Sequence, residues 1–328
     1  MNVRKTLAIG MVAVAGLFLS ACGQDSPAPA QSNGSPAATG DTDGDLPRIG
    51  LVMKSLGNEF FQEMQQGALD YEAEEGTFEL TAVGTQSETD IDGQVQAMNQ
   101  LIAQQVDAIV IAPADSRGLV SPVQQAVEAG IPVINIDVRL DPDALEAAGI
   151  EVPFVGPDNR EGAKLAGDAL ADAIGEGGRV VIIEGIPGVD NAEQRKAGFM
   201  DAIEDGGLEL VASNTANWET DQAHSVLTSI LTGDAEIDGV MTANDSMALG
   251  AISAVESAGL TGEIEIVGFD NIPAIHPYLE DGTVLATVDQ YGSQQAALGI
   301  DAALLAIDGE TLEPWVKTEV TLITGDAQ

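Results

Sequence analysis

The feature that most limits what this chain can fold into is an unbroken alternation. Ten short runs rich in β-branched residues (RIGLVM, FELTAV, DAIVIA, PVINID, VPFVG, RVVIIE, LELVAS, DGVMTA, IEIVGF and VLATVD) are separated by amphipathic stretches of helical length such as FFQEMQQGALDYEAEE and NREGAKLAGDALADAI. Strands that are apolar on both faces, each followed by a helix, form a parallel sheet with helices packed on both sides. The expected fold class is therefore α/β, doubly wound. Ten strands can make one large sheet or two smaller ones. The Gly and Pro punctuation of FVGPDN at 154–159 falls near the middle, and a fresh strand-helix series starts after it, which favours two similar lobes. No short-period repeat is present.

The N-terminus reads as an address. MNVRK is basic, TLAIGMVAVAGLF is too short for a comfortable membrane span, and LSAC follows at 19–22. That order is a secretory signal. The single cysteine of the chain stands just behind two small residues, which resembles the lipobox of bacterial lipoproteins. The expectation is cleavage after residue 21 and acylation of Cys22 as a lipid anchor. With one cysteine there is no internal disulfide, so an exported fold must rely on core burial. Residues 22–46, full of Pro, Gly, Ser and Asp, bury too little to order themselves and read as a disordered tether.

Charge excludes whole classes of function. The chain carries 12 Lys plus Arg against 53 Asp plus Glu, a net charge of -41. A nucleic-acid binder needs clustered cations, and a peripheral membrane protein needs them too, so neither fits. The membrane is then reached through the lipid anchor only. Such a surface suits solubility, and high salt that screens its self-repulsion.

In open parallel sheets, ligands bind beyond the carboxyl ends of the strands. Following strand one stand Lys54, Asn58, Phe60 and Phe61; following PVINI, Asp137 and Arg139; following VVIIEG, a few residues into the next helix, Arg195. The later strands end near Trp218, Asn244 and Asp245, Asp270, and Gln290. Carboxylates accept hydroxyl protons, Lys and Arg donate, amides do both, and flat rings cover C–H faces, which is what a neutral polyol requires. Plainer readings stay open. Phe60 and Phe61 also suit the core of the first helix, Trp218 a loop cover, Asn244 and Asp245 helix caps, and Asp137 and Asp270 turns. Arg139 also suits a partner for Asp141. Lys54 and Arg195 are harder to dismiss because cations are so scarce. His224 and His276 lie far apart with no spaced partner, so both read as surface residues and no metal site is expected.

Taken in order, LVMKSLGNEFF, VINIDVRLD, FVGPDNREGAKLAG, EGIPGVDNAEQRKAGF, TANDSMALGAI, IVGFDNIP and VLATVDQ resemble bacterial periplasmic sugar-binding proteins of the ribose-binding type over nearly all of the mature chain. Within that family the chain looks most like the D-allose-binding branch. There a lysine follows strand one, as Lys54 does, and an acid is followed two positions on by a cation, as in Asp137 and Arg139. The resemblance implies that Lys54 and Asn58 bond sugar hydroxyls, Phe60 or Phe61 stacks on the ring, and Asp137 takes a pair of hydroxyls. It implies further that Arg195 donates to ring or hydroxyl oxygens, that Trp218 closes the opposite face, and that Asn244, Asp270 and Gln290 complete the site. Arg139 is carried over with them. The second aromatic is a tryptophan in the allose branch, so Phe61 offers a smaller face, and Glu59 replaces a proline common in the family.

The resemblance also implies two lobes joined by a three-crossing hinge, 47–157 plus 291–318 and 158–290 plus 319–328. The implied function is that of the substrate-binding lipoprotein of an ABC sugar importer. It would be a monomer in the cell envelope, in the periplasm or on the outer face of the cytoplasmic membrane, handing a monosaccharide to permease and ATPase subunits without cofactor or chemistry. A hexose is preferred to ribose because Lys54 can reach an extra hydroxymethyl oxygen. The alternative is a sensor presenting a sugar or autoinducer to a membrane receptor. A dehydrogenase lacks its glycine fingerprint after strand one. A glycosidase would need a raised pKa on Asp137 or Asp270, against neighbouring Lys and Arg. Related repressors share the lobes but carry a DNA-binding headpiece where this chain has a signal peptide.

Overall fold

A computed structural model describes residues 46–233 and 236–325. The signal peptide, Cys22 and the tether up to residue 45 lie outside the described residues. Among those described, no helix is long and apolar enough to cross a membrane.

The strands are β1 (Arg48–Ser55), β2 (Glu79–Thr85), β3 (Ala108–Ile111), β4 (Val133–Ile136), β5 (Phe154–Pro157), β6 (Arg179–Glu184), β7 (Glu209–Thr215), β8 (Gly239–Thr242), β9 (Glu265–Val267), β10 (Ala286–Asp289), β11 (Trp315–Thr318) and β12 (Thr321–Thr324). The helices are α1 (Glu59–Glu75), α2 (Ile91–Gln104), α3 (Val120–Glu128), α4 (Pro142–Ala148), α5 (Asn159–Ile174), α6 (Asp190–Gly206), α7 (Thr220–Thr232), α8 (Asp245–Ala258), α9 (His276–Glu280) and α10 (Gly292–Ile307). They build two six-stranded sheets, ordered β11-β5-β4-β3-β1-β2 and β12-β10-β9-β8-β6-β7. Every ladder is parallel except β10 with β12, which is antiparallel. The doubly wound two-lobe α/β fold expected from the alternation is the one observed. The sequence runs missed β11 and β12, whose four residues each are short and mostly exposed or half-buried at the sheet edges.

Strand β1 shows why this sequence packs as it does. Successive side chains point to opposite faces of a sheet. Ile49, Leu51 and Met53 accordingly join the cluster that includes Phe61 and Met64 of α1 and Ala296 and Ile300 of α10, while Val52 joins the cluster of Met98, Leu101 and Leu119 on the other side. Gly50 stands where α2 comes closest, since a Cβ there would lie 2.6 Å from Leu101 Cδ1.

The chain passes between the two sheets at three places. After β5 it enters α5, which packs on β8, β9 and β10; after β10 it enters α10, which returns to β3, β4 and β5; and β11 leads directly to β12. These passages lie beside the carboxyl ends of β5, β10 and β11, so loops from both sheets converge there.

Candidate functional site

Ten of the eleven residues that the resemblance assigns to the site line one cavity, together with Glu88 and Asn191. Their positions follow from local structure. Lys54 is the penultimate residue of β1 and Asn58 caps α1, its Oδ1 accepting from Phe60 N at 3.0 Å. Phe60 and Phe61 fill the first turn of that helix, edge to face with centroids 5.1 Å apart. Asp137 follows β4 directly; from the second sheet come Trp218 beyond β7, Asn244 beyond β8, Asp270 beyond β9 and Gln290 beyond β10. Arg195 and Asn191 stand one turn apart on α6. All twelve lining residues are at most 9% exposed.

Buried cations and carboxylates are interleaved here. Arg195 donates through Nε to Asn159 Oδ1 at 2.8 Å and through a terminal nitrogen to Ala243 O at 2.8 Å, and pairs with Asp270 at 3.4 Å. Its guanidinium lies over the Phe269 ring, 3.6 Å from the centroid, and 5.6 Å from the centroid of the Trp218 ring. Gln290 Nε2 donates to Asp270 Oδ1 at 2.7 Å. The Lys54 ammonium sits between rings, 5.2 Å from Phe61 and 5.4 Å from Trp218, and 3.6 Å from Glu88.

Removal from water raises the pKa of each of the three cavity carboxyls, so the neighbouring Lys and Arg do not hold Asp137 and Asp270 down as the sequence suggested. For Asp270 it reaches about 7, burial outweighing the pull of Arg195 and of the Gln290 hydrogen bond. Burial likewise lifts Glu88 and Asp137 against the opposing attraction of Lys54, and holds Arg195 below the ordinary guanidinium value despite Asp270 and Asp137.

Four buried polar atoms on residues that line this cavity have no hydrogen-bond partner: Glu88 Oε2, Asp137 Oδ2, Asn191 Oδ1 and Trp218 Nε1. Buried polar groups in folded proteins are nearly always paired, so such a concentration marks a place prepared for a polar guest. Backbone strain gathers here too. Of seven non-glycine residues with positive φ among those described, six (Asp137, Asn217, Trp218, Asp270, Asn271 and Tyr291) line the cavity or adjoin a residue that does.

Arg139 is not part of the site. Its guanidinium faces Phe154 and Trp315, 6.0 and 5.7 Å from their centroids, beside a separate groove. The reason is the left-handed turn at Asp137, φ 60°, which breaks the extended alternation that would point residues 137 and 139 the same way. Arg139 does not balance Asp141 either; Arg117 does, at 2.8 Å, and Arg139 acts on Asp190 instead. Asp245 is not the helix cap. Asn244 is, accepting from Met247 N at 2.9 Å, while fully buried Asp245 accepts from Thr287 Oγ1 at 2.7 Å and Ile272 N at 3.1 Å. Burial, then the neighbouring Asp270, pushes the Asp245 carboxyl well above its ordinary value. His224 and His276 are half-buried rather than surface residues, His276 bonding Asn271 at 3.2 Å. No group of ligating side chains with metal-binding geometry occurs among the described residues.

Sequence reasoning missed Glu88 and Asn191. Asn191 was within reach as the residue one helical turn before Arg195. Glu88 lies three residues past β2 in SETD, at a strand end to which the same rule applied. Its signal was drowned because acids are everywhere in this chain and cations are not.

Comparison with known proteins agrees with this geometry. The periplasmic binding protein domain family matches residues 49–311. The D-ribose/D-allose-binding protein of Pseudomonas aeruginosa is 48% identical over 283 residues, 85% of this chain and 89% of that protein. The D-allose-binding periplasmic protein of Escherichia coli is 35% identical, covering 79% of this chain and 83% of that one. An ABC transporter periplasmic solute-binding protein from Actinobacillus succinogenes, solved with bound D-allose, superposes with a TM-score of 0.82 at 41% identity, over 86% of this chain and 98% of that one. On these matches the chain belongs to the periplasmic binding protein domain family, whose members capture and pass on a substrate and are not enzymes.

Proposed function

We propose that the protein is the substrate-binding lipoprotein of an ABC sugar importer, tethered through Cys22 in the cell envelope, and that it holds one monosaccharide in the cavity between its lobes. The observation that carries this reading is the set of four unpartnered buried polar atoms around a space walled by Phe60, Phe61 and Trp218.

The lobes are 47–157 plus 291–318 and 158–290 plus 319–328. Support for this division comes from β11 pairing in the first sheet and β12 in the second. Lys54, Asn58, Phe60, Phe61 and Asp137 then serve the sugar from one side, and Arg195, Trp218, Asn244, Asp270 and Gln290 from the other and the hinge. Hydrogen bonds from Ala274 N to Glu59 Oε2, 3.1 Å, and from Asp190 N to Ser116 Oγ, 3.0 Å, tie the two sides together. A sugar that touches both sides only when they meet shifts the population toward the closed form, which is the form a permease can select.

The experiment is a thermal-shift panel of monosaccharides on the full chain. A ligand present a hundredfold above its dissociation constant adds about 2.7 kcal/mol of stability. D-Allose and other hexoses are expected to raise the melting temperature more than ribose does. Lys54→Ser should erase that preference. A panel in which ribose alone shifts the melt would remove the role given to Lys54.

The Asp270 carboxyl at about 7 supplies a second expected result. A ligand hydroxyl donating to this group favours its ionised form, so binding lowers the pKa and expels a proton near neutrality. Affinity should therefore fall as pH drops from about 8 to about 5.5, approaching tenfold per unit below the midpoint. Calorimetry in two buffers of different ionisation enthalpy reads the released proton directly. An affinity flat across that range, with no proton release, would contradict the assignment of Asp270.

A further inference from the structure

Glu88 is one of two cavity residues, with Asn191, that the family resemblance did not supply. It rises from the loop between β2 and α2, is 2% exposed, and turns both carboxylate oxygens inward to different neighbours. Oε1 accepts from Asn58 Nδ2 at 2.9 Å. Oε2 has no hydrogen-bond partner and lies 3.6 Å from Lys54 Nζ, longer than a hydrogen bond. Lys54 itself makes no hydrogen bond through its ammonium among those of the described residues, so an acceptor-only oxygen and a donor-only nitrogen stand side by side with capacity left on both.

One hydroxyl satisfies both at once, because its proton is donated to the carboxylate while its lone pairs accept from the ammonium. We propose that Glu88 is a specificity-determining residue that, together with Lys54, reads a single ligand hydroxyl as this donor-acceptor bridge. The proposal rests on the sugar-binding reading and sharpens it. Discrimination at this point comes from the cost of leaving Oε2 and the ammonium buried and unbridged when the hydroxyl is missing or inverted. A purely structural role, holding Asn58 against the start of α1 and balancing the Lys54 charge, leaves the hydrogen-bonding capacity of Oε2 unused.

The test crosses protein and ligand changes. Dissociation constants for D-allose and its monodeoxy analogues are measured by calorimetry on the full chain and on Glu88→Gln, which keeps the shape and the acceptor for Asn58. In the wild type one analogue should bind at least about a hundredfold more weakly than the parent. In Glu88→Gln the parent should lose about thirtyfold, while the penalty for that analogue shrinks to less than about threefold. A uniform loss across the series with its rank order intact, or no loss at all, overturns the proposal. Should Glu88→Gln fold poorly, a crystal structure of the wild type with D-allose decides: a sugar hydroxyl within bonding distance of both Glu88 Oε2 and Lys54 Nζ supports the bridge, and a water or a gap there overturns it. A wild type that binds no sugar defeats the sugar reading and the bridge together, and does so before any variant is made.

Discussion

Arg195→Ala should abolish the ligand-induced thermal shift and lower the melting temperature of the free protein. The arginine is 2% exposed and is the cation against which Asp270 is paired. Its removal also vacates the bonds to Asn159 and Ala243 O and strips the cover from Phe269. Taking one partner from a buried pair typically costs about 3 to 5 kcal/mol, because the other charge is left without compensation. Here part of that cost is relieved by protonation, since the Asp270 carboxyl already sits at about 7 and rises further without its partner. The protonated acid then offers the sugar a donor where an acceptor is wanted, so binding suffers more than folding does. Arg160, whose side chain is 54% exposed beside Asp201, provides the contrast. Arg160→Ala should leave both the melt and the ligand shift in place. A ligand shift that survives Arg195→Ala would put the site elsewhere.

The second large effect is expected from Trp218→Ala. The indole is 4% exposed, held at φ 69°, and so close to the chain after β6 that a Cβ on Gly185 would lie 2.1 Å from its Cζ2. Deleting a buried aromatic side chain typically costs about 3 to 5 kcal/mol through lost contacts and the void left behind. Binding should weaken by about tenfold or more as well, since on the proposed reading the ring closes one face of the sugar, and an aromatic contact of this kind contributes about 0.5 to 1.5 kcal/mol beyond burial. Gly185→Ala separates the two effects. It keeps the indole but forces it to move, so affinity should fall while most of the aromatic packing is retained. Denaturant melts and calorimetry on the two variants read this out. A Gly185→Ala protein with wild-type affinity would show that the position of the ring is immaterial.

The parts of this molecule that were legible in its sequence are those set by periodicity and by position along a strand. The stretch NREGAKLAGDALADAI coincides with α5, because its caps and amphipathic face agree with its packing. The same logic located strand ends, and strand ends located the cavity lining. Side-chain direction was less accessible. Asp137 and Arg139 look equivalent in VINIDVRLD, yet one positive φ sends them to different places. Nor did VINID warn that Asn135 would bind the backbone at Val138 and Leu140, at 2.8 Å each, and so fix the turn that separates them. Local patterns also cannot register contacts made across hundreds of residues. Tyr71 with Asp301 and Lys317 with Asp158 are of that kind, as is the parallel pairing of β11 with β5 that escaped the strand reading. Glu88 was hidden for a different reason, the sheer number of acids, which removes the contrast that made Lys54 conspicuous.

The most direct measurement is a crystal structure of the protein grown with D-allose. The account predicts one sugar in the cavity between the two sheets, its hydroxyls bonded to Lys54, Asp137, Arg195 and Asp270, with Phe61 and Trp218 against opposite faces of the ring. A saccharide bound anywhere else, or a cavity that stays closed to every sugar tried while these side chains keep their present partners, would contradict it.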